Sequence, residues 1–295
     1  MLQSLYMEPK EKDMPHLKTM CILPYRIEVK EYHSSRYHGK KVTPAPRTKK
    51  TTEEMAEVNE RNRIKKLYWI IATNFDFGDL HMQLTYRREE RPTPEGARKS
   101  LKKFFRRLRK EYKKRGKELK YIVTTEYKRT AIHHHLVLNE IGDTAKTVNR
   151  IWEKGKAFFS VIYEDGEVED LAAYLIKETQ NSFRDPDNPS KLSYSCSRNL
   201  KKPNIKTKII KSDTWRKAPK PPKGYYLDKG SIAEGVSKVT GYPYRYYTFK
   251  KIKEDKHERK NHKGRVPPNK ANEPGRNGTI YKSMPSDGAR RKRTN

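Results

Sequence analysis

A chain of 295 residues can bury one sizeable core, but only 33% of its residues are hydrophobic against 35% charged, so part of it is expected to stay outside that core. Lys and Arg outnumber Asp and Glu by 68 to 36, a net charge of +32; solubility requires far less, and the excess points to a polyanionic partner, nucleic acid first. No apolar run approaches the roughly 20 residues that span a bilayer, and the opening MLQSLYMEPKEKDMPH holds no apolar segment of signal-peptide length, so a cytoplasmic protein with no membrane partner is expected.

Residues 1–50 are irregular, with Pro44, Pro46 and a basic end at Arg47, Lys49 and Lys50, and read as an N-terminal arm. The main domain is expected over 51–205. It opens with a capping box at Thr51, Thr52, Glu53 and Glu54, followed by Met55, Val58, Ile64, Leu67, Tyr68 and Ile71 at helical spacing. Leu80, Met82, Leu84 and Tyr86 then alternate with His81, Gln83 and Thr85 in a strand period. Glu95 to Arg115 predicts an amphipathic helix, with Leu101, Phe104, Phe105, Leu108 and Tyr112 on one stripe and basic residues over much of the rest. Its basic side, Arg106 and Lys110 included, has two readings: a solvated face, or a DNA contact.

Two strand-like runs, LKYIVTTEY and AIHHHLVLN, are joined by Lys128, Arg129 and Thr130 and predict a hairpin. A helix opening near Asp143, a strand near Phe158 to Tyr163, a helix near Val168 to Gln180 and a strand near Leu192 to Cys196 complete the series. After Lys201 the texture changes. Residues 206–250, with Pro219, Pro221, Pro222 and the run GYPYRYYTFKK, read as an accessory segment, and 251–295 as a basic, disordered tail. The tyrosines there (Tyr225, Tyr226, Tyr242, Tyr244, Tyr246 and Tyr247) and Phe249 either stack on bases or form the faces of a strand. Cys21 and Cys196, the only cysteines, are expected to be free thiols. No Gly-x-x-x-x-Gly-Lys-Ser/Thr loop occurs, which argues against an ATP-driven motor.

Three of the nine histidines stand together in the hairpin. Side chains two apart on a strand share a face, so His133 and His135 project together and His134 points with Leu136 and Leu138. If the hairpin turns about 128–130, Glu126 faces His133. Two imidazoles and a carboxylate suit Mg²⁺ or Mn²⁺. On the later helix, Val168, Leu171, Ala172 and Leu175 form the inward stripe, with Tyr174 and Lys177, three apart, on its flank.

The order QLTY (Gln83 to Tyr86), HHHLVLN (His133 to Asn139) and LAAYLIKE (Leu171 to Glu178) resembles the three successive motifs of HUH endonucleases, specifically rolling-circle replication initiator proteins of plasmids and phages, in a single-tyrosine form. The resemblance spans about Asn59 to Pro203. It implies an α+β, ferredoxin-like fold, a central antiparallel sheet with helices on one face. It also implies that His133 and His135 hold the divalent metal, that Tyr174 is the nucleophile and that Lys177 assists. His134 stands where that family has a bulky hydrophobic residue.

The function expected from these features is origin nicking by tyrosine attack on single-stranded or melted DNA, leaving a 5′-phosphotyrosine and a free 3′-OH that a host helicase and polymerase would use. Lys128, Arg129, Arg106 and Lys110 are the expected DNA contacts. The alternatives are a relaxase or single-tyrosine transposase with the same site, or a non-catalytic nucleic-acid-binding protein whose histidines are structural.

Overall fold

The computed structural model describes residues 15–34, 53–127, 131–162, 165–184, 193–212, 218–237 and 241–252, all within the unit Met1–Lys253. The expected capping residues Thr51 and Thr52, the hairpin link 128–130 and, from residue 253 on, the basic tail lie outside the described residues. In chain order the elements are β1 (His16–Ile22), β2 (Arg26–His33), α1 (Glu53–Asn74), β3 (Leu80–Leu84), α2 (Pro94–Lys114), β4 (Tyr121–Tyr127) and β5 (Ile132–Leu138). Then come α3 (Thr144–Ile151), β6 (Ala157–Val161), α4 (Asp165–Arg184), β7 (Ser195–Cys196), β8 (Asn204–Ile209), β9 (Tyr225–Val236) and β10 (Pro243–Lys251).

Local chemistry accounts for the boundaries. At the start of α2, Thr93 accepts a hydrogen bond from the Gly96 amide at 3.2 Å and Pro94 occupies the first turn. Gly116 ends the helix at φ 64°, where its lack of a Cβ is needed. Asp143 precedes α3 but does not cap it. Glu140 Oε1 does so instead, accepting from the amides of Ile141, Gly142 and Thr144.

Strands β3 to β7 form one sheet in the order β6-β3-β5-β4-β7, with every neighbouring pair antiparallel. From β3 through α2, β4, β5 and α3 to β6 this is a βαββαβ unit in which each helical crossover skips one strand, the ferredoxin-like arrangement. Helices α2 and α3 cover one face, where Phe104, Phe105, Leu108, Tyr112, Val148, Ile151 and Trp152 pack on Met82, Leu84, Val123, Leu136 and Leu138.

The central antiparallel sheet of an α+β fold is as expected, but its helices are not confined to one face. The other face carries Ile122 and Val137, and α1 and α4 cover it with Leu67, Tyr68, Ile71, Leu171, Ala172, Leu175 and Ile176. A strand covered on both faces loses its apolar alternation, and β5 is buried at all but one of its residues.

The stretch expected as an arm and the accessory segment together supply a second antiparallel sheet, in the order β8-β1-β2-β10-β9. Cys21 and Leu23 at one end of it join the core around α1, and Glu28 accepts from Trp69 Nε1 at 2.6 Å and Lys65 Nζ at 2.9 Å on that helix. Ile27, Val29, Tyr247 and Phe249 form a small core on the opposite face. Beside it Glu31 accepts from Arg245, Tyr247 and Lys18 at 2.7, 2.7 and 3.1 Å. Tyr247 and Phe249 are therefore core residues, unavailable for stacking on bases, whereas Tyr226 and Tyr246 are exposed. Cys21 is buried and Cys196 exposed, both as free thiols. Among the described residues no helix is long and apolar enough to cross a membrane.

Candidate active site

The hairpin register decides which way each histidine faces. Glu126 pairs with His133, Thr125 with His134 and Thr124 with His135, the register expected from a turn about 128–130. His135 shares its face with Val137, under α1 and α4, and strand alternation puts His133 there too. His134 is on the opposite face with Leu136 and Leu138, under α2 and α3.

His134 is enclosed and matched at both ring nitrogens. Nε2 lies 2.8 Å from the Tyr86 hydroxyl and Nδ1 2.8 Å from Thr125 Oγ1, and Trp152 meets the ring edge-on. Burial first, then the neighbouring His135 and His133, pushes its pKa down to about 3, so at neutral pH it is an uncharged ring filling core space. An imidazole can replace a bulky hydrophobic residue there because both of its polar atoms have partners.

On the α4 side the polar groups gather. Glu126 is buried, and its Oε2 lies 3.9 Å from Nδ1 of the partly exposed His133, longer than a hydrogen bond. His135 is buried, with its ring parallel to that of His81 at a centroid distance of 5.9 Å and an angle of 4°. His81 Nδ1 lies 3.1 Å from Ser160 Oγ on β6, while its buried Nε2 has no hydrogen-bond partner among the described residues. Burial, then His135, pushes the His81 pKa down to about 3.

Helix α4 brings Tyr174 to this cluster. Leu171, Ala172, Leu175 and Ile176 bury the inward stripe, and Tyr174 on its flank meets His135 edge-on at 5.3 Å and His81 at 6.1 Å. Lys177, one turn further along the same flank, is exposed. Tyr174, His135 and His81 thus meet in one group, with Glu126 and His133 paired across the neighbouring strands. Among the described residues no three His, Cys, Asp or Glu side chains form a closed metal-binding group.

The expected DNA contacts divide. Lys128 and Arg129 lie outside the described residues. Arg106 and Lys110 are exposed on α2, which packs on the sheet face opposite Tyr174. Sequence reasoning missed His81, although a signal existed: if Leu80, Met82 and Leu84 face one way, His81 and Gln83 face the other, and Gln83 pairs with His135.

Residues 79–183 match a family model of replication-associated proteins of the ORF2 type. That span, less than half of the chain, runs from the residue before β3 into the end of α4. It contains every residue of the cluster just described and none of the second sheet. No curated protein and no solved structure matches the chain significantly.

Proposed function

We propose that this protein initiates DNA replication by nicking one strand of an origin with Tyr174. The observation that carries this reading is the meeting of Tyr174 with His135 and His81 on one sheet face, inside the segment that matches the replication-associated family model. The net charge of +32 supports a nucleic-acid substrate.

In this reading the Tyr174 oxygen attacks the scissile phosphorus in line. The bond from phosphorus to the 3′ oxygen breaks as the tyrosine ester forms, the phenolic proton passes to a base, and the departing 3′ oxygen takes up a proton to become a free 3′-OH. One phosphodiester replaces another, so the step can run backwards and rejoin strands. Lys177, one helical turn from Tyr174, offers its ammonium to a phosphate oxygen. His81 and His135, both buried, hold the tyrosine ring from its edge.

The donor set of two imidazoles and a carboxylate on one sheet face fits a divalent ion, and His133, His135 and Glu126 are the residues that would hold Mg²⁺ or Mn²⁺. Bound there, the ion would polarise the scissile phosphate and offset the charge that develops on it. Tyr174 sits partly buried against the sheet, so the scissile link must leave a base-paired duplex to reach it; the substrate is single-stranded or locally melted DNA. Because the chain has no ATP-binding loop, a host helicase opens the duplex and a host polymerase extends the 3′-OH.

The test is to incubate the full chain with labelled single-stranded fragments of its own replicon and Mn²⁺, and to map the denaturant-resistant adduct. A nucleotide on Tyr174, with no adduct from Tyr174→Phe of normal fold, is the expected result. An adduct on any other residue overturns the assignment.

A further inference from the structure

We infer that the outer face of α2 is a docking surface for the phosphate backbone of duplex DNA, separate from the nicking face. Lys102, Lys103, Arg106, Arg109, Lys110 and Lys113 are all exposed. Their spacing puts them within about a third of the helix circumference, opposite Phe104, Leu108 and Tyr112.

Neighbouring carboxylates do not neutralise this stripe. Glu95 pairs with Lys99, Glu153 with Arg107 and Asp143 with Arg115, while Glu111 takes Lys114, Arg115 and Arg150. Each acid beside α2 is thus engaged by a cation outside the stripe, and the six stripe cations have no carboxylate partner among the described residues. A stripe from Lys102 to Lys113 is about 17 Å long at ~1.5 Å per residue, and duplex DNA presents one negative charge per roughly 1.7 Å of axis.

The commitment to a duplex comes from what the stripe lacks. Surfaces that hold single strands combine cations with aromatic platforms for the bases, and no exposed large hydrophobic or aromatic residue lies on α2. A rigid row of point charges reads backbone and not bases. Because α2 and α4 cover opposite faces of the sheet, duplex and cleaved strand would be held on separate sides. That the duplex is the one flanking the nick rests on the proposed replication function; the docking surface itself does not.

The experiment compares the full chain with K102Q/K103Q/R109Q/K113Q, whose exposed glutamines keep helix propensity nearly unchanged. Affinity for a short labelled duplex, and for one of its strands alone, is measured over a salt series, together with adduct formation on a short single-stranded oligonucleotide. The variant should bind duplex less tightly, with a log–log salt slope shallower by about 3 to 4, and should form adduct at the parental rate. Unchanged duplex affinity and slope overturn the inference, as does an equal loss of affinity for the single strand or a parallel fall in adduct. If the parent forms no adduct at all, the nicking reading fails, and the duplex titration still decides the surface.

Discussion

Each of the two sheets buries a polar cluster, and the clusters differ in how their atoms are matched. In the second sheet Glu31 is enclosed by Arg245, Tyr247 and Lys18, all within 3.1 Å. In the ferredoxin-like sheet Glu126 and His133 stand 3.9 Å apart, and the buried Nε2 of His81 has no hydrogen-bond partner among the described residues. Burying polar atoms is costly unless they are paired. A cluster whose members satisfy one another is accounted for by the fold, whereas one held at longer range carries a cost that a substrate or ion can offset. The contrast assigns architecture to the first cluster and chemistry to the second.

The largest effect should come from the histidine strand. His133→Ala should lose cleavage by more than the ~10- to 100-fold that losing a supporting residue costs a metal site. His134→Leu, on the other face, should retain it. Steady-state cleavage of a single-stranded oligonucleotide reads both, and an inactive but folded His134→Leu beside an active His133→Ala would reverse the assignment of the two faces.

Next is Arg245→Ala, which leaves Glu31 buried beside fewer donors. Breaking a buried pair from one side costs about 3 to 5 kcal/mol, so urea unfolding should show a loss of that order. A loss below about 1 kcal/mol, the scale of a surface pair, would mean that the second cluster is not the structural one.

Glu126→Gln tests the carboxylate of the chemical cluster. Mn²⁺ titration should need on the order of tenfold more metal for half-maximal cleavage, with the fold unchanged; an identical titration removes Glu126 from the ion's environment.

The smallest expected effect is on acid stability. Burial pushes the Glu31 carboxyl up, but hydrogen bonds from Arg245, Tyr247 and Lys18 outweigh it and hold the group below the usual carboxylate range. Its stabilisation is therefore complete above the unfolded value, near pH 4.3, and is lost as pH falls through the lower folded value, where the unfolded chain binds the extra proton. The stability gap between the parent and Glu31→Gln should narrow below about pH 4.3. A gap that stays constant down to about pH 3, well under that unfolded value, would locate the stabilisation elsewhere.

The same contrast explains what could be read from the sequence. The ferredoxin-like unit comes from contiguous chain whose periods are local: β3 alternates, α2 has a clean apolar stripe, and hairpin arithmetic alone places Glu126 opposite His133. His81 was hidden because it occupies the polar half of an alternation whose apolar half was taken as the message. The second sheet was illegible for a different reason. β8 buries none of its six residues, so it leaves no hydrophobic pattern, and its partner β1 lies on the far side of the whole βαββαβ unit in sequence. Burial of Glu31 and Arg245 depends on ion pairing between β2 and β10, which no periodicity reports.

The placement of β1 and β2 has a consequence for biosynthesis. This hairpin precedes the βαββαβ unit in the chain and leaves the ribosome before it, yet β1 needs β8 on one side and β2 needs β10 on the other. Pairings this distant in sequence form slowly. Until they form, both edges of the hairpin expose unpaired backbone groups that can template other chains, while the intervening βαββαβ unit closes from contiguous segments. The chain therefore completes its DNA-cutting layer before the sheet whose strands flank that layer in sequence. A nascent product interrupted after β7 would carry a finished cluster of Tyr174, His135 and His81 beside an open-edged hairpin prone to aggregation.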